Sequence, residues 1–99
     1  MTFYQGDVQL KRIEKLPKNL KEKDKTIAYG EATGHHHSFT PESKVKVMID
    51  NSGNQFAILE QQSELVHQEH NTIQIPKGIW RIRRQREYDQ IEGIRQVSD

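Results

Sequence analysis

The sequence predicts a mainly β domain, a compact antiparallel β-barrel or sandwich of about six to seven short strands. Two observations carry that expectation. Apolar residues alternate with polar ones at period two, most plainly in KVKVMI, residues 44–49, where Val45, Val47 and Ile49 point inward and the lysines outward. Clusters of turn formers, Asp50-Asn51-Ser52-Gly53-Asn54 and Pro76-Lys77-Gly78 among them, break these runs at the roughly 8–12-residue spacing of small all-β folds.

The elements follow in order. Val8 and Leu10 alternate with Asp7, Gln9 and Lys11, and Ile13 continues at an odd position, so residues 4–13 read as a first strand carrying a bulge. Residues 16–25, LPKNLKEKDK, are dense in charge and contain Pro17 and Asn19; they read as a solvated surface loop. Thr26 to Glu31 should be a second strand with Ile27 and Tyr29 on one face, running into a histidine loop at 34–43. Residues 44–59 form a hairpin about the Asp50–Asn54 turn. Glu64 to His67, Thr72 to Ile75 and Ile79 to Arg84 are three further short strands, with Pro76-Lys77-Gly78 as the turn between the last two. Tyr88 to Asp99 supports neither strand nor helix strongly, because Gly93 weakens a helix there.

Composition bounds the class of function. Ninety-nine residues make one domain with one modest core, and 32% hydrophobic against 29% charged residues leaves most of the chain solvated. A net charge of +1 argues against coating nucleic acid by bulk electrostatics, so any basic function needs a local patch. The absence of cysteine removes disulfides and thiolate zinc sites and fits a reducing, cytoplasmic setting. MTFYQGDVQL lacks the apolar stretch of a signal peptide, and no segment approaches the ~20 apolar residues of a membrane span.

All five histidines fall in two groups: His35, His36 and His37, then His67 and His70. Imidazole is the commonest metal ligand and titrates near neutrality. On an extended segment His35 and His37 share a side and His36 takes the other. His35, His37, His67 and His70 could thus supply a divalent metal such as zinc with three nitrogens, leaving one position for water. Glu69 or Glu31 would serve as base or as a partner of a ligand. The plain alternative is an exposed histidine loop.

IWRIRRQREY, residues 79–88, is the second constellation. On a strand, Trp80, Ile82, Arg84, Arg86 and Tyr88 share a face opposite Arg81, Arg83 and Gln85. Arginine forks to phosphate oxygens, and Trp or Tyr offers a stacking platform. Arg84, Arg86 and Trp80 are therefore candidate phosphate- and base-binding residues; the alternative is a solvated face paired with carboxylates. The two groups together contain what metal-free cleavage of RNA through its own 2′-hydroxyl needs: His35 or His37, His70, Arg84, Glu87 and Tyr88. Catalytic candidates are thus His35, His37, His70, Glu69 and Tyr88. HQEH lacks the spacing of an H-E-x-x-H zinc helix.

QGDV, YGEATGHHH and HQEH-x-x-I-x-I-P-x-G-x-W-R-I-x-R-Q-R-E-Y together resemble a small family of uncharacterised bacterial and phage-encoded proteins. The shared pattern is G-D-V, T-G-H-x-H, H-x-E-H and R-Q-R-E-Y. It falls on Gly6, Asp7, Gly34, His35, His37, His67, Glu69, His70, Pro76, Gly78, Arg84, Gln85, Arg86, Glu87 and Tyr88, with His36 at the variable position. A fainter likeness is to cupins, metal-binding β-barrels with H-x-H and P-x-G elements. Here the following glutamate comes as Glu42, behind a proline, and the later histidine precedes P-x-G.

The function expected from these residues is a small enzyme acting on a phosphate-containing substrate, RNA or nucleotide, by a metal-dependent or metal-free route. The alternative is a non-enzymatic accessory protein of phage or bacterial origin that binds single-stranded nucleic acid or a protein. An enzyme requires histidines and arginines to line one concave site. A binding module would show a basic face with the histidines elsewhere.

Overall fold

The computed structural model describes residues 1–29 and 35–84, which form ten β-strands and no helix in two antiparallel sheets. Glu31, Gly34, Gln85, Arg86, Glu87, Tyr88 and the C-terminal tail lie outside the described residues. Strands β1 (Thr2–Gln5), β2 (Val8–Ile13), β3 (Lys21–Lys23), β6 (Val45–Ile49), β7 (Gln55–Leu59) and β10 (Gly78–Arg84) make one sheet, ordered β1-β2-β10-β7-β6-β3. Strands β4 (Thr26–Tyr29), β5 (His36–Phe39), β8 (Ser63–Val66) and β9 (Ile73–Ile75) make the other, ordered β4-β5-β8-β9. The arrangement is a sandwich, with neither sheet closed into a barrel.

Four local expectations change. The first strand is a hairpin: Gly6-Asp7 joins β1 to β2, with Gln5 opposite Val8. Gly6 has φ +59° and Asp7 has no positive φ, the pattern of a II′ turn with glycine first. Part of the charged loop, Lys21–Lys23, pairs with β6 as an edge strand, because its alternating backbone groups complete that sheet. The expected histidine loop contains a strand, β5, held between β4 and β8. Finally, the register slips between Thr26 and Ala28, so Ile27 and Ala28 are both buried and Tyr29 is turned outward, 57% exposed.

The 44–59 hairpin forms as its turn residues dictate. Asp50 accepts from the backbone amides of Ser52 and Asn54, at 2.9 and 2.8 Å. Those bonds to the ionised form, with the Asn54 side-chain bond foremost, hold its pKa below the usual carboxylate range. Pro76-Lys77 carries the chain from β9 in one sheet to β10 in the other.

The core lies between the sheets. Val8, Leu10, Val47, Trp80 and Ile82 from the larger sheet meet Ile27, Phe39, Leu65 and Ile75 from the smaller. Trp80 is fully buried on β10, the strand held between β2 and β7. Its indole N–H donates to the Pro76 carbonyl at 2.9 Å, and Phe3 meets its ring edge-on at a centroid distance of 5.4 Å. The expected role of Trp80 as a base-stacking platform is therefore corrected: alternation does put it on the face of Ile82, but that face is the core. Replacing Trp80 with alanine should cost about 3–5 kcal/mol, read as a lower urea midpoint; a loss below ~1 kcal/mol would contradict its central place in the packing.

Candidate functional site

The two histidine groups meet. β5 carries His37 inward with Phe39, while His36 lies on the opposite side, its ring 6.2 Å from that of Tyr29. β8 ends at Val66 and delivers His67 into the turn that leads to β9. Ring centroids are 4.3 Å apart for His37 and His67, 4.6 Å for His67 and His70, 5.7 Å for His35 and His67, and 5.9 Å for His37 and His70. The rings of His35 and His37 both lie near that of His67.

Two hydrogen-bonding devices and one close approach place three of these rings. Gln5, buried on β1, donates from Nε2 to the carbonyls of Leu65 (2.8 Å) and Asn71 (2.9 Å). With both amide protons committed, its Oε1 must accept, and His37 Nδ1 stands 2.9 Å away. His37 thus carries a proton on Nδ1. His67 is the reverse: its Nδ1 accepts from the backbone amides of Glu69 (3.0 Å) and His70 (3.3 Å), so the neutral ring carries its proton on Nε2. His70 lies over the II′ turn. A Cβ on Gly6 would come within 2.5 Å of His70 Nε2, so any larger residue must displace that ring, and the positive φ favours glycine.

Asp7 follows that glycine and faces the cluster. Its Oδ2 accepts from Arg84 Nε at 2.8 Å, and its Oδ1 is 3.5 Å from His37 Nε2. Burial alone would raise its pKa; the hydrogen bond and charge of Arg84 outweigh that and hold the carboxyl below its ordinary range. Burial pushes His37 down to about 4, with the charge of His67 acting in the same sense and Asp7 opposing both. His67 is also lowered, by burial and then by the charges of His70 and His35. Near neutral pH, His37 Nε2 is therefore a lone pair facing a carboxylate oxygen, two acceptors that a hydroxyl proton or a cation between them would satisfy. On the more open side His35 Nδ1 is 3.5 Å from Glu69 Oε2.

The metal expectation gains no ready-made site. Among the described residues no three His, Asp or Glu side chains are arranged to hold one ion. His67 Nδ1 is taken up by backbone amides and His37 Nδ1 by Gln5, so each of these rings has only Nε2 to offer.

A cleft of about 500 Å³ opens beside the Asp7–Arg84 pair. The last β10–β7 register pair is Ile82 with Gln55, whereas β10 pairs with β2 as far as Arg84. Where β10 outruns β7, Lys23, Tyr29, Gln55, Arg81, Arg83 and Arg84 line the opening, and none of its described lining residues is acidic. Arg81 and Arg83, which alternation puts on the strand face opposite Arg84, share this lining with it. The buried Gln55 Oε1 has no hydrogen-bond partner among the described residues, while its Nε2 donates to the Ile27 carbonyl at 3.0 Å. No histidine is among the described lining residues.

Of the candidates named from sequence, His35, His37, His67, His70 and Glu69 come together, Arg84 reaches them through Asp7, and Trp80 does not. Arg86 and Tyr88 fall outside the described residues. Gln5 was missed because a buried glutamine has no signature in an alternating strand. Asp7, noted as a polar strand position and within the family pattern but not as a site residue, had a usable signal in its place in a Gly-Asp turn.

Residues 4–85 match the family described as a domain of unknown function, DUF8820. No curated protein and no solved structure matches the chain, so the likeness to cupins gains no support.

Two outcomes follow from this geometry. A histidine held neutral in the folded state takes up its proton more readily on unfolding. His37 should therefore contribute full stability above pH ~6.5 and lose it as pH falls toward 4, by up to about 3 kcal/mol. Urea midpoints at pH 7.5, 5.5 and 4.5 should fall in that order, and a flat profile would refute a buried neutral His37. Gly6→Ala should cost about 1–2 kcal/mol from backbone conformation plus the displacement of His70. In a His70→Ala background only the conformational part should remain, which a double-mutant cycle measures.

Proposed function

We propose, from the premise that the chain belongs to the DUF8820 family, that it is a small enzyme acting on a phosphate-containing substrate, RNA or nucleotide. The histidine cluster is its reaction centre. One observation carries this reading: side chains some thirty residues apart in sequence bring four imidazoles into ring contact beside an Asp–Arg pair. A cluster of this kind costs stability as its members charge, and a neutral core would avoid that cost.

The roles divide by exposure. His37, buried between Gln5 and Asp7, positions the cluster. His35, backed by Glu69, and His70, exposed above the turn, are the rings that reach substrate. In RNA cleavage one of them takes the proton of the 2′-hydroxyl as its oxygen attacks the adjacent phosphorus. The other gives a proton to the 5′-oxygen as the P–O5′ bond breaks. Arg84 lies near enough to Asp7 to place positive charge beside the phosphate.

A divalent ion such as zinc is the other route. The excess of imidazoles over what acid–base work needs favours it, and so do the facing acceptors of His37 and Asp7. The absence of histidine from the described lining of the cleft favours instead a non-enzymatic domain that only binds nucleic acid.

Turnover of RNA and nucleotides, with and without chelator, separates the three. Acid–base chemistry should survive chelator with a bell-shaped pH–rate profile, and His35→Ala or His70→Ala should slow it about 10²–10⁴-fold. Metal chemistry should vanish on chelation and return with added ion. No turnover under any condition would end the enzyme reading.

A further inference from the structure

We infer that the cleft beside Arg84 is a nucleotide site in which Tyr29 stacks on the base and Lys23, Arg81, Arg83 and Arg84 hold the phosphate. The inference rests on the reading above that the substrate carries phosphate, and adds where its nucleotide sits. Three observations support it. First, four cations line one opening of about 500 Å³ with no acidic residue among its described lining, although acidic residues nearly equal basic ones in the chain, 14 against 15. Lys23 and Arg84 contact the carboxylates of Asp24 and Asp7, but Arg81 and Arg83 are exposed to solvent.

Second, Tyr29 is in the same lining and 57% exposed, one of three large hydrophobic side chains exposed among the described residues. Its orientation results from the β4 irregularity, which breaks the alternation that would otherwise bury it with Ile27. An aromatic face among guanidinium groups is the combination that holds single-stranded nucleotides, since every base has a π-face and every linkage a charge. Third, the cleft and the histidine cluster share a wall: Arg84 lines the one and, through Asp7, borders the other. A nucleotide in the cleft would thus direct its phosphate toward the cluster.

Calorimetric titration of the full chain tests this with three probes: inorganic phosphate, adenosine 5′-monophosphate and a short single-stranded oligoribonucleotide. The nucleotide should bind about tenfold tighter than phosphate, a typical contribution of one stacked base. Tyr29→Ala should abolish that margin and leave phosphate binding intact, which also serves as the control for folding. Tyr29→Phe should keep the margin, because the ring and not the hydroxyl supplies it. Arg83→Ala should weaken all three probes and flatten their salt dependence. Tighter binding of the oligoribonucleotide than of the monophosphate assigns the cleft to an RNA strand, and equal affinity assigns it to a free nucleotide. Equal affinity for phosphate and both nucleotide probes, or no effect of Tyr29→Ala, would overturn the inference. Binding as expected without any turnover fells the enzyme reading alone; turnover without any Tyr29 effect fells this inference alone.

Discussion

The side chain of Gln5 is the constraint on which the arrangement turns. It is a neutral amide buried between two sheets, and a buried amide left unbonded costs several kcal/mol on the order of its desolvation. Both ends are used: Nε2 ties β1 to the Leu65 carbonyl on β8 and to Asn71 in the turn after it, and Oε1 meets His37 on β5. One residue thus sets the distance between the larger sheet, the middle of the smaller sheet and the turn carrying the second histidine pair. It also selects the His37 tautomer. Apolar packing would hold the sheets together without it, but hydrophobic contact is non-directional and would not specify which ring nitrogen faces Asp7.

Electrostatics at the cluster depend on that same placement. Four imidazoles in contact cannot all be charged, and the buried one is held neutral by loss of solvent before its neighbours contribute. Asp7 keeps its charge because Arg84 donates to it directly. The result is a fixed anion–cation pair beside two rings, His37 and His67, whose charged forms are disfavoured by burial and by the charge of neighbouring imidazoles, the kind of perturbed group that gathers at functional sites.

Much of the fold was legible and much of the site was not. Val45, Val47 and the Asp50–Asn54 turn announce a hairpin because alternation and turn chemistry act over a few residues. The same local logic misplaced Tyr29, since a register slip has no mark in TIAYG, and misplaced Trp80, since alternation gives a face and says nothing of whether that face meets solvent or a second sheet. The histidines were conspicuous by their clustering. That they meet depends on β5 pairing with β8, a contact between distant segments which no local pattern encodes. Gln5 was hidden for the same reason: its polarity reads as surface until the sheet that covers it is in place.

The strand at the far side of the larger sheet has an effect on how molecules of this protein meet one another. β3 is three residues long, and all three, Lys21, Glu22 and Lys23, are charged. An outermost strand presents unpaired amides and carbonyls that another chain could extend, and short length with charged side chains is what frustrates such growth. At this margin a passing copy would have to bring its own backbone against a row of solvated charges to gain only a few hydrogen bonds. The segment that read as a loop thus protects the sheet from open-ended stacking, and that safeguard lies on the strand whose Lys23 also lines the cleft.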